Sequence, residues 1–66
     1  MPVTKGDLEN WLGPTWLVEE VVVDEANWAN PDWRARYLCQ QARLGSHHVH
    51  DEPLPGGRRK IFLAAE

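Results

Sequence analysis

Sulfur chemistry is nearly missing from this chain: its 66 residues include one cysteine and one methionine. Cys39 has no partner for an internal disulfide, which points to a reducing compartment. Also missing are a leader-type apolar segment and any run near the roughly 18 apolar residues that a membrane-spanning helix needs. The expectation is a cytoplasmic protein that does not enter a membrane. Without internal repeats, low-complexity tracts or linker composition, residues 1–66 read as a single domain. A domain this small buries only about 60% of its unfolded surface. Little room is left for a rigid frame with a substrate pocket, so the expectation is a non-enzyme with no cofactor and no small-molecule substrate.

Positive charge is scarce in the first half. Residues 1–32 carry one cation, Lys5, against seven anions: Asp7, Glu9, Glu19, Glu20, Asp24, Glu25 and Asp32. Residues 33–65 carry six cations, Arg34, Arg36, Arg43, Arg58, Arg59 and Lys60, against only Asp51 and Glu52. The net charge of −3 therefore conceals a basic end able to meet a polyanion while the acidic end turns away. Hydrophobic residues make up 42% of the chain and four of them are Trp, enough for a compact core if the rings are shared between elements.

Local signals divide the chain into elements. Thr4 and Asp7 have capping-box spacing, and Leu8, Trp11 and Leu12 follow at helical intervals before Gly13-Pro14, which predicts a short first helix. From Leu17 to Ala26 the pattern is ambiguous. Three consecutive valines favour a strand, whereas Val18, Val22 and Ala26 share a helical face and Asp24-Glu25-Ala26-Asn27 extends a helix more readily than a strand. The balance predicts a helix over about 17–26. Asn30-Pro31-Asp32 is an N-cap, a first-position proline and an acid in the first turn, and it opens a helix that runs to Leu44 and stops at Gly45. Two extended runs around Pro53-Leu54-Pro55-Gly56-Gly57 then predict a β-hairpin.

On a wheel, the helix after Asn30 separates into stripes. Ala35, Leu38, Cys39 and Ala42 suit close packing on the 17–26 helix. Trp33, Tyr37 and Leu44 suit the hairpin or the first helix. Arg36, Gln40 and Arg43 form an open polar edge, with Arg34 and Gln41 on a second strip. Arginine can bind guanine bidentately and glutamine can bind adenine in a major groove, while further cations hold phosphate. Such residues are commonly just a solvated helix face. The hairpin cations Arg58, Arg59 and Lys60, which follow the helix in sequence, weigh towards duplex DNA, since a basic ribbon can lie on the backbone or in the minor groove.

From Val22 onward the order is similar to a winged helix-turn-helix. The run Arg43-Leu44-Gly45-Ser46-His47-His48, followed by Pro55-Gly56-Gly57-Arg58-Arg59-Lys60-Ile61-Phe62, resembles phage and plasmid excisionase-like proteins over about the C-terminal two-thirds of the chain. The resemblance implies an α+β fold of two to three short helices and a β-hairpin wing. It also implies a factor that bends duplex DNA to direct site-specific recombination or to control transcription, working with a recombinase and with neighbouring protomers. Carried over by position, Arg34, Arg36, Gln40, Gln41 and Arg43 serve the groove and its flanks, and Arg58, Arg59 and Lys60 the wing. The acidic stretch before the helix-turn-helix departs from that pattern.

Two further groups bear on function. Cys39, His47, His48 and His50 give a ligand count for zinc, but their spacing lacks close ligand pairs, and on a regular strand His48 and His50 face away from His47. A buried, inert Cys39 and exposed histidines, with no metal, are expected. Trp11, Trp16, Trp28 and Trp33 read as core, with one or two available as interface anchors. The alternative function is accordingly a protein-interaction module that docks on a host or phage protein through its acidic, Trp-rich half.

Overall fold

The computed structural model describes residues 3–66. Helix α1 (Lys5–Leu12) leads into strand β1 (Leu17–Asp24), one-turn helix α2 (Glu25–Ala29), helix α3 (Pro31–Arg43) and strands β2 (Ser46–Leu54) and β3 (Arg58–Ala65). The three strands form one antiparallel sheet in the order β1-β3-β2. The result is a small α+β fold.

β3 is the centre of the molecule. Ile61, Phe62, Leu63 and Ala64 are each at most 1% exposed, and four successive buried residues require cover on both faces, because neighbours on a strand point to opposite sides. Phe62 and Ala64 pack with Leu8 and Val18 beneath α1, joined by Leu12, Trp16 and Val49. Ile61 and Leu63 pack with Trp28 beneath α2 and α3, joined by Val21, Val23, Trp33, Tyr37 and Leu38.

The capping signals hold. Thr4 and Asp7 form a reciprocal capping box on α1. The Asn30 side chain accepts from the Asp32 and Trp33 amides at the start of α3. Gly56 and Gly57 take φ of 80° and 73° in the β2–β3 turn, a conformation open to glycine at little cost.

The helix expected over 17–26 is a strand through Asp24. β1 pairs with β3 without interruption from Leu17↔Ala65 to Asp24↔Arg58. Here the valines decide: Val21 and Val23 pack on the α3 side while Val22 stays half exposed, a period of two that a helix cannot produce. This change redirects α3. Lacking a helical partner, it lays its large side chains Trp33, Tyr37 and Leu38 on the broad sheet. Ala35, Cys39 and Ala42, expected in the core, are left exposed, as is Leu44. No helix among the described residues is long and apolar enough to cross a membrane.

Candidate nucleic-acid interface

α3 is anchored at its start and along its inner face. The Asn30 cap satisfies its first amides, and Trp33 and Tyr37, one turn apart, stack with ring centroids 5.2 Å apart. With that side on the sheet, Arg34, Arg36, Gln40 and Arg43 are exposed and Gln41 is half-buried. Arg36, Gln40 and Arg43 border a shallow groove whose floor is made by Ala35 and Cys39. Small residues there let a flat or convex partner approach the helix while the longer side chains reach around it. Arg34 lies on another flank of α3, its guanidinium 5.7 Å from the Trp28 ring centroid. Stacking on an aromatic face orients a guanidinium without neutralising it.

The cations of the hairpin have other occupations. Arg59 holds both oxygens of Glu25, with Nε–Oε2 at 2.7 Å and Nη2–Oε1 at 3.1 Å, and its remaining nitrogen binds Asp51. The hydrogen bond to Glu25, reinforced by Asp51, raises the Arg59 pKa above its ordinary value despite partial desolvation. Lys60 stands 3.6 Å from Glu20 and 5.5 Å from the centre of the Phe62 ring. Arg59 and Lys60 thus join strands and helix to one another. Only Arg58 of the three is exposed and outside any ion pair among the described residues. The turn is also tied down, because the Glu25 amide donates to the Gly57 carbonyl at 2.8 Å.

The histidines are separated by a β-bulge between His48 and His50. The extra residue reverses the alternation, so His48 lies beside Trp28 on the α3 face while His47 meets Trp16 and His50 meets Phe62 on the α1 face. The expected pairing of His48 with His50 on one face is overturned by this bulge. His48 and His50 contact carboxylates instead, Asp51 at 2.8 Å and Glu52 at 3.0 Å. Glu52 also accepts from the Val3 amide at 2.7 Å. That amide, with His50 second, holds the Glu52 carboxyl below the usual carboxylate range. Among the described residues, no three His, Cys, Asp or Glu side chains group to hold a metal ion.

The hairpin register alone makes one pairing legible: Pro53 faces Arg59, so Asp51 is its diagonal same-face neighbour, within reach of a long side chain. Glu25 is 34 positions from Arg59 and carries no comparable local signal. Comparison with protein-family models, characterised proteins and solved structures finds no match.

Proposed function

We propose that α3 is a nucleic-acid-binding helix and that the protein is a DNA-binding accessory or regulatory factor, of the excisionase-like kind its sequence resembles. One observation carries this reading. In a chain of net charge −3, Lys5, Arg59 and Lys60 are in ion pairs, and the cations outside ion pairs among the described residues are all arginines, three of them on α3. Arginine is the residue suited to both phosphate and guanine. In this reading Arg36 and Arg43 line the groove, each meeting a phosphate at its edge, with Gln40 between them towards the bases; Arg34 and Arg58 hold the flanking phosphates, and α2, Asn30 and α3 act as an abbreviated helix-turn-helix. The β2–β3 turn is a short wing whose Arg58 lies outside any ion pair among the described residues. Arg59 and Lys60 leave the contact set for a structural role. Recruitment of a recombinase, and contacts between protomers on DNA, belong to the same proposal.

The test is a duplex titration at 50 and 200 mM salt. If four arginines neutralise phosphates, affinity falls about 150-fold across that range, from a slope of about 0.9 per contact. Replacing Arg36 and Arg43 together by Ala lowers the slope by about two. No complex at 50 mM salt, or a slope unchanged in the double variant, sinks the proposal.

A further inference from the structure

The sheet has two edges, and they differ. β2 is poorly suited to accept another strand: it carries the bulge between His48 and His50 and a proline, Pro53, which has no amide to donate. β1 has neither device. Its eight residues, LVEEVVVD, pair with β3 without a bulge, and among the described residues its other edge has no neighbouring strand. Every second residue of such an edge turns its amide and carbonyl outward, a template for one more antiparallel or parallel partner.

What guards β1 is charge of one sign. Glu19, Glu20 and Asp24 are exposed and the strand contains no cation. Glu20 meets Lys60, while Glu19 and Asp24 have no ion-pair partner among the described residues. Acidic guards repel an acidic strand, and they also disfavour a second copy: antiparallel pairing of β1 with itself about Val21 sets the two Glu20 side chains diagonally on one face, where like charges oppose association. A basic strand meets attraction in the same place. At its first residue β1 opens on a cleft of about 400 Å³ lined by Glu9, Asn10, Gly13, Pro14, Trp16 and Leu17. Leu17 is 75% exposed there, an apolar rim for the end of an incoming segment.

We propose that the free edge of β1 takes up an extended partner segment in which lysine or arginine alternates with apolar residues, adding a fourth strand to the sheet. Backbone hydrogen bonds supply the affinity; Glu20 and Asp24, on one face of β1, meet the basic side chains, and Leu17, Val21 and Val23, on the other, meet the apolar ones. This surface is distinct from the α3 face, so the two readings stand or fall separately.

The probe is an alternating lysine–valine peptide as long as β1, titrated into the isotope-labelled full chain with amide shifts recorded. Shifts are expected along Leu17–Asp24 and at Trp16, with the exposed α3 positions Gln40 and Arg43 unmoved and with the Arg36, Arg43 double alanine variant binding equally well. A glutamate–valine peptide, and the basic peptide with alternate amides N-methylated, are expected to bind at least about tenfold more weakly. Asp24→Asn, at an exposed position with no ion-pair partner among the described residues and no side-chain cap hydrogen bond, is expected to weaken the basic peptide while leaving the thermal midpoint unchanged. Equal binding of the N-methylated peptide would show simple charge adsorption and overturn the proposal. So would shifts confined to α3 or β2, or a concentration-dependent dimer whose contact maps to β1.

Discussion

Arg59 and Arg36 are both long cations after residue 32, but their surroundings are opposite. Arg59 is enclosed by Glu25 and Asp51, on two other elements, whereas Arg36 is exposed without a carboxylate partner among the described residues. Arg59→Ala is expected to lower the thermal midpoint while leaving the salt slope of the proposed DNA binding unchanged; Arg36→Ala is expected to do the reverse, and a titration beside a melting curve separates them. Asn30→Ala removes the cap of α3 and should cost about 1 kcal/mol in urea unfolding. Glu52 sets a pH dependence. Its carboxyl lies below the ordinary range because the Val3 amide and His50 bind it, so its contribution is complete above roughly pH 4.3, the ordinary glutamate value, and is lost as pH falls through the lower folded-state value. Acid melting of Glu52→Gln should accordingly be flatter than that of the parent chain below that pH. The caps at Thr4 and Asn30 were legible because a cap is a contact between near neighbours. Arg59 could not be assigned in the same way, because Glu25 reaches it only through the sheet.

At the scale of elements, β1 carries the main lesson. Its valines admit a period of two, while Asp24 to Asn27 suit a helix, and both signals are real: the strand ends at Asp24 and α2 begins at Glu25. A window spanning the junction averages them. α3 was legible in extent from Asn30, Pro31 and Gly45, but its buried face was not. Which stripe goes inward depends on the partner, and a sheet accepts Trp33, Tyr37 and Leu38 where a second helix would favour Ala35, Cys39 and Ala42. The strands also differ in what they tolerate. Phe62 is fully buried, and Phe62→Ala should cost about 3–5 kcal/mol. A domain of this size rarely has more than about 3–5 kcal/mol in total, so loss of the cooperative unfolding transition is the expected result. Val22, half exposed on the neighbouring strand, should accept Thr with a change within about 0.5 kcal/mol by the same measurement.

For the whole molecule, the division of charge along the sequence becomes partly an internal bond. Glu20 and Glu25 from the acidic half hold Lys60 and Arg59 from the basic half, and the surplus on each side is left on different surfaces, arginines on α3 and acids along β1. Under the proposed duplex binding, salt dependence measures that division. The four arginines outside ion pairs among the described residues would give a fall of about 150-fold between 50 and 200 mM salt, and full participation of Arg59 and Lys60 about 2,000-fold. A slope near the larger value would mean that the ion pairs open on DNA. The sequence by itself determined the features carried by neighbours along the chain: the helix caps, the glycine turn, the hairpin, and a helix with an arginine edge. Only the tertiary structure decided that Leu17–Asp24 is a strand, that Cys39 faces outward, that the bulge parts His48 from His50, and that Arg59 and Lys60 are bound within the fold. The physical reason is range. Caps and turns are closed by contacts a few residues apart, whereas burial and ion pairing depend on partners from distant segments, which become neighbours only once β3 has been covered on both faces.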